Sequence, residues 1–222
     1  MQATPVTSVR TAIPADVAFL ARMDYEASLP PFGVSFWNPP LEPTGTPVVA
    51  FLERMFLEGA SNWGAIDDFI ILEVDGKAAA TCAVFRPPND TALEGPLNLD
   101  KFDKVASGLG WAEDQRSAFL AGYQKDWSVD TSFMKPQAEL IVETVAVAPE
   151  YRGHGLGDAL MQAAFDRARA LGAASLGVMV IHGNDAARAL YEKHFEPYVT
   201  FHAAYFDNEF PGMTKFRAKL SR

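Results

Sequence analysis

The chain has 222 residues, 49% of them apolar or aromatic, which suits one domain with a sizeable core. Its formal net charge of −9 gives no counterion-release advantage with DNA or RNA, so nucleic acid is excluded as an expected partner; a small anion held by local backbone dipoles is not. One cysteine, Cys82, rules out an internal disulfide, and no apolar run has the length of a signal peptide or a membrane span. A soluble, cytoplasmic protein with no membrane contact is expected.

Taken in order, "VTSVRTAI" alternates and stops at Pro14, which predicts a first strand. "PADVAFLARMDYEASL" sets Val17, Leu20, Ala21 and Asp24 at helical spacing. "PPFGVSFWNPPLEPTG" is too rich in proline and glycine to be regular, yet it carries Phe32, Phe36 and Trp37. "TPVVAFLERMFLEGA" predicts a second helix, and "DFIILEVDGKAAATCAVFRPP" two strands joined at Asp75-Gly76, with Cys82 as a small core hydrophobe.

From Pro87 to Gln137 the pattern changes. "LNLDKFDKVASGL" and "AEDQRSAFLAGYQKDW" are helical stretches separated by Gly108, Gly110 and Trp111, and the segment brings in Phe102, Phe119, Tyr123, Trp127 and Phe133. An insertion of this length reads as a pocket lid or a homodimer contact, or as plain packing against the sheet. "QAELIVETVAVAP" is the strongest strand. "LGDALMQAAFDRARALG" is a long helix with Leu156, Leu160, Ala164, Ala168 and Leu171 on one face and Gly172 as its stop. "SLGVMVI" is a buried strand, "NDAARALYEKHF" a helix capped by Asn184, and "VTFHAAYF" and "MTKFRAKL" close the chain as strands. The order predicts an α/β (α+β) fold. It has a mixed, mostly antiparallel sheet of about seven strands, flanked by helices, with a helical insertion before the fourth strand. Residues 1–222 form one domain.

Between the strongest strand and the long helix stands "YRGHGLGD", where Gly153, Gly155 and Gly157 bare several backbone N–H groups at a helix mouth and Arg152 adds a full charge. This is the design of a phosphate or pyrophosphate cradle. A P-loop needs Lys-Ser/Thr after its last glycine, and Asp158-Ala159 follows here; a dinucleotide fingerprint fails in both registers. What remains is R-x-x-G-x-G, filled by Arg152, Gly155 and Gly157.

"VAVAPEYRGHGLGDALMQAA" resembles the acyl-CoA-binding motif of the GNAT superfamily of N-acyltransferases, an apolar strand ending near a proline, then Q/R-x-x-G-x-G/A, then a helix. "GNDAARALYEKHFE" is similar to the family's later block N-x-x-A-x-x-L-Y-x-x-x-G-F, with Asn184, Ala187, Leu190, Tyr191 and Phe195 in register and His194 where a glycine is common. The resemblance is specific over Glu139–Glu196; the segment Pro87–Gln137 is longer than the family's usual connection.

The resemblance implies acetyl-CoA as co-substrate. Its pyrophosphate would rest on the N–H groups of Gly153, His154, Gly155, Leu156, Gly157 and Asp158, aided by Arg152. Its pantetheine arm would pair with the backbone of Val145 and Val147 on a strand splayed by a bulge, and Asn184 would contact the arm or serve as a plain N-cap. Tyr191 would be the acid that protonates the leaving thiolate, or an ordinary helical tyrosine. Glu139 and Glu143 point to one face of the strand with Ile141 between them. Glu143, nearest the thioester, is preferred as base, with a salt bridge or a water chain as alternatives. No two of His154, His182, His194 and His202 sit at metal-ligand spacing, so no metal is expected; His182 and His202 could line the acceptor pocket. The expected function is acetyl transfer to a primary amine of a small molecule, amino acid or peptide, with a non-catalytic CoA-binding sensor or a longer-chain acyltransferase as rivals.

Overall fold

The strand-forming runs predicted from the sequence come together in one seven-stranded sheet in the computed structural model, which describes residues 6–87, 95–127 and 132–220. The strands are β1 (Thr7–Thr11), β2 (Phe69–Val74), β3 (Lys77–Phe85), β4 (Leu140–Val147), β5 (Ser175–Ile181), β6 (Glu196–His202) and β7 (Gly212–Lys219), in the order β1-β2-β3-β4-β5-β7-β6. Every neighbouring pair is antiparallel except β4 and β5. That one parallel step is the crossover through helix α6 (Leu156–Ala170), whose end is closed by Gly172 in the left-handed region at φ 68°.

The central strands read as continuous apolar runs because both faces of the sheet are covered. On one face Leu72, Cys82, Val84, Leu140, Val142 and Phe216 pack against Leu160, Met161, Ala164 and Phe165 of α6 and against Tyr191 at the end of α7 (Asp185–Tyr191). On the other face Phe69, Ile71, Ala83, Phe85 and Ile141 meet α1 (Val17–Ser28) and α3 (Val48–Leu57). The proline-rich stretch expected to be irregular contains the one-turn helix α2 (Asn38–Leu41), started by its own prolines, and buries Trp37 almost completely.

The predicted insertion forms α4 (Phe102–Gly108) and α5 (Glu113–Trp127); its parts at 88–94 and 128–131 lie outside the described residues. Most of its aromatics are core. Phe119 stacks on Phe102 at 5.4 Å, Trp111 on Phe51 at 6.0 Å, and Tyr123 on Trp37 at 6.0 Å. Two hydrogen bonds knit the insertion to the chain before α3: Trp111 Nε1 donates to Thr46 Oγ1 at 2.7 Å, and Gln115 Nε2 to the Thr44 carbonyl at 2.8 Å. These rings are used in packing within the chain, and Phe133 also joins a second group of rings. Among the described residues no helix is long and apolar enough to cross a membrane.

Phe119 is wholly buried at the centre of that stack. Phe119→Ala is expected to cost about 3–5 kcal/mol of folding stability, read from urea unfolding at unchanged slope. A loss below about 1 kcal/mol would mean that the insertion is peripheral to the core.

Candidate active site

Strands β4 and β5 pair at Leu140–Leu176 and Ile141–Gly177 and then diverge. Gln137 lies over β5 and β7 beside the fork. Its Nε2 donates to the carbonyls of Val178 at 3.1 Å and Phe216 at 3.2 Å, and it sits where a side chain at Gly177 would go, 2.8 Å from that missing Cβ. Past the fork, β4 bulges. Pairing with β3 shifts from Ala83–Glu143 to Thr81–Ala146, placing one extra residue on β4, and Thr144 adopts φ 53°. The bulge reverses which side chains face which helices. Ile141 lies on the α1 side and Val142 on the α6 side, whereas beyond it Ala146 packs under Met23 of α1 and Val145 and Val147 turn toward α6.

The glycine turn follows directly. Gly153 and Gly155 sit at φ 79° and 75°, and a Cβ at either would meet no atom within 4 Å, so both face open space. Among the described residues none of the N–H groups from Gly153 to Asp158 donates a well-formed hydrogen bond to protein. They are the free donors at the mouth of α6, and an anion is the partner that such a mouth favours. Gly157 has another task, because a Cβ there would press on Leu190 of α7 at 3.2 Å. The Arg152 guanidinium is folded back: Nη2 pairs with Glu26 of α1 at 2.7 Å and Nε donates to the Val147 carbonyl at 3.0 Å. His154 Nδ1 lies 3.2 Å from the Tyr151 carbonyl. Asn184 caps α7 by accepting the Ala187 N–H at 3.3 Å. Asp158 is bound by Lys193 at 2.9 Å and by His194 at 3.0 Å, and these partners hold its carboxyl below the usual range. His194, which the sequence linked to no role, thus ties the end of α7 to the first turn of α6.

The splay gathers ionisable groups. Glu143 is half-buried, and burial lifts its carboxyl to about 8, with the nearby Asp24 charge adding to the rise and Lys215 opposing it. Burial lifts Asp24 of α1 to about 7, opposed by the Trp37 indole and the Thr144 hydroxyl facing it. The indole Nε1 is otherwise buried without a well-formed hydrogen bond. Lys215 of β7 is 4% exposed, donates to the Lys135 carbonyl, and is lowered by burial to about 8 despite Glu143. Glu143 and Lys215 line one narrow cleft with Met134, Gln137, Ile141 and Met179. Tyr191 sits on the opposite face of the sheet, edge-on to Phe216 at 6.3 Å. Burial raises its phenol well above the ordinary value, and the charges of Glu143 and Cys82 raise it further.

Glu139 is not part of this group. Its carboxylate accepts the Ala174 N–H at 2.9 Å and lies 3.8 Å from Arg86, at the closed end of β4. His182 is held between the Pro211 carbonyl at 3.1 Å and Thr214 Oγ1 at 3.0 Å, with the His202 ring 6.4 Å away. Among the described residues no cluster of His, Cys, Asp and Glu could hold a metal. Asp24 and Lys215 were not picked out as site residues. Asp24 left a trace as a carboxylate on the apolar stripe of Val17, Leu20 and Ala21; Lys215, in an alternating strand, left none.

The family model described as the acetyltransferase (GNAT) family matches residues 37–196. Among solved structures, an acetyltransferase superposes with a TM-score of 0.59 at 17% identity, covering 96% of this chain and 100% of that one. An N-acetyltransferase from Staphylococcus aureus Mu50 gives 0.58 at 17% identity, covering 95% and 100%. A putative acetyltransferase from Salmonella typhimurium, solved with its cofactor acetyl-CoA, gives 0.52 at 16% identity, covering 97% and 95%. At these identities the structural likeness is one of fold. No curated protein matches the chain. The family match spans most of the sequence and takes in β4, the glycine turn, α6 and α7, so the chain belongs to the GNAT acetyltransferase family and is an acyltransferase by that membership.

Proposed function

We propose that the protein moves the acetyl group of acetyl-CoA directly to a primary amine of a small molecule, amino acid or peptide, and works in the cytoplasm. The observation that carries this reading is the run of N–H groups from Gly153 to Asp158 that lack protein acceptors, set beside the opened edge of β4. Gly153, His154, Gly155, Leu156, Gly157 and Asp158 would hold the pyrophosphate through those groups. The open space above Gly153 and Gly155 fits a bulky anion. The backbone of Val145 and Val147 lies along the splay for the pantetheine arm; one lone pair of the Val147 carbonyl is already taken by Arg152. Arg152 supplies positive charge at the cradle's edge, and Asn184 stands at the start of α7 where the arm would pass.

Acetyl-CoA supplies the thioester. In the reading proposed here, the chain's own groups handle protons. Glu143 accepts one from the acceptor ammonium, because burial sets its carboxyl near neutral pH, where a general base is most useful. Tyr191 returns one to the departing sulfur. Its phenol stays protonated because burial disfavours the phenolate, and the same dry surroundings raise the basicity of the thiolate it serves.

Gly155→Val places a branched side chain over the cradle and forces it into the left-handed region, so CoA affinity should drop at least about 100-fold by calorimetry. Unchanged affinity in a folded variant would remove the cradle assignment. Tyr191→Phe keeps the ring against Phe216 and deletes only the hydroxyl; kcat is expected to fall on the order of 100-fold with the KM for acetyl-CoA little changed. An unchanged kcat would transfer that proton step to water.

A third expectation concerns pH. The folded-state carboxyl of Glu143 is raised from 4.5 to about 8, so its contribution to stability is full below 4.5 and is lost as pH rises through about 8. Lys215, lowered from 10.5 to about 8, acts with the opposite slope and only above about 8. Glu143→Gln should therefore flatten part of the stability decline between 4.5 and about 8, and should also abolish the rise of kcat/KM toward alkaline pH. A variant that keeps the wild-type pH–rate profile would show that Glu143 is not the base.

A further inference from the structure

Three helical segments of the chain close their own mouths with a side chain from the third position. At Pro14–Asp16, Asp16 Oδ2 accepts the Ile13 N–H at 2.8 Å; at Ile66–Asp68, Asp68 Oδ2 accepts the Ala65 N–H at 2.8 Å. Before α5, Gln115 Oε1 accepts the Ala112 N–H at 3.0 Å. This is the ordinary use of an acid or amide at that position, because it satisfies a donor that the helix leaves free. Helix α6 also carries an acid third in line, Asp158, after Leu156 and Gly157. There, among the described residues, the N–H groups of the mouth stay open instead.

The Asp158 carboxylate is held elsewhere. Its Oδ2 accepts from Lys193 Nζ at 2.9 Å, and its Oδ1 lies 3.0 Å from His194 Nε2. An ionised carboxylate has no hydrogen to give, so Nε2 is the donor. Both partners stand just past the end of α7, and the His194 ring lies 6.3 Å from the ring of Phe165 on α6. A carboxylate released from them would remain at the positive end of α6, beside the N–H groups of its own turn. It would then compete for that end with any bound anion, both by charge and by hydrogen bonding.

We propose that Lys193 and His194 are positioning residues for cofactor binding: they tether the Asp158 carboxylate to the end of α7 and so keep the mouth of α6 open to the CoA pyrophosphate. The inference rests on the reading of the glycine turn as the pyrophosphate cradle, and adds the two residues that hold its one acidic side chain aside.

The test is a mutant cycle on the intact protein, read as CoA affinity by calorimetry. Lys193→Ala with His194→Ala is expected to weaken CoA binding at least about tenfold in the otherwise native chain, and less than about twofold when Asp158→Ala is already present. The loss should fall on the KM for acetyl-CoA and not on kcat. His194→Gln, which keeps an N–H donor in place of Nε2, should bind CoA as the native chain does. Equal losses with and without the Asp158 carboxylate would mean that the two residues act on the cofactor directly or through the fold, and would overturn the proposal. An unchanged affinity in the double variant would overturn it too, whether or not thermal stability falls, because the contact would then only tie two helices together. Where the double variant does not fold, His194→Ala alone carries the same comparison, and its loss must vanish in the Asp158→Ala background. Failure of the native chain to bind CoA would overturn the cradle reading itself.

Discussion

Parallel neighbours in a sheet ordinarily satisfy one another's backbone groups along their shared length; β4 and β5 do so at two positions and then part. Two features accompany the separation. Gln137 occupies the room beside Gly177, and the extra residue at Thr144 bends β4 away while returning its far half to register with β3. A β-branched residue at positive φ is strained, at a cost of about 1–3 kcal/mol, and persists only where its surroundings leave no alternative. Here those surroundings are two complete cores, one on each face, which fix β3 and β4 whatever Thr144 prefers. The bend leaves Glu143 on the α1 face, whereas Val145 and Val147 beyond it turn to the α6 face.

Helix α1 is the second support of that opening. Met23 packs under Ala146, in the half of β4 beyond the bulge, and under Ala148 just past the strand's end. On neighbouring turns, Arg22 pairs with Glu150 at 3.2 Å and Glu26 with Arg152 at 2.7 Å, so the helix brackets the segment between β4 and the glycine turn. Partly exposed ion pairs of this kind contribute little net stability, so the apolar contact of Met23 holds the helix in place and the pairs set its direction. Asp24 lies between these groups and turns inward. One helix thus steadies the segment leading into the glycine turn and brings a carboxyl near Glu143.

What was legible in the sequence follows the range of the physics. The glycine turn was readable because left-handed glycines, a proline and a helix start are local requirements, and Gly153, Gly155 and Gly172 adopt the conformations that only such residues take easily. The strands were readable because burial on both faces leaves unbroken apolar runs. The bulge at Thr144 gave no local signal, since nothing in "LIVETVAV" marks a threonine at positive φ. Glu139 and Glu143 looked equivalent by strand alternation; contacts with Ala174 and Arg86, distant in the chain, separate them. Lys215 was invisible for the same reason: its burial depends on β5, β6 and the segment before β4 arriving together. The aromatics of the insertion were obvious in composition, but their partners Trp37 and Phe51 lie far back in the chain, and only the fold decides between core and lid.

The cluster also explains why this opening cannot be optimised for stability. Packing it with apolar side chains would remove one buried and two partly buried ionisable groups whose desolvation opposes folding. Yet burial is what brings the Glu143 carboxyl from its ordinary range to about 8. Lys215 limits that shift by its charge, and Asp24 extends it. Asp24 and Lys215 thus act on the Glu143 carboxyl in opposite directions. A chain that keeps these groups beside a strained bulge and a row of N–H groups without protein acceptors gives up stability at that place, while the aromatic rings of the insertion add apolar burial to the core on the α1 and α3 face.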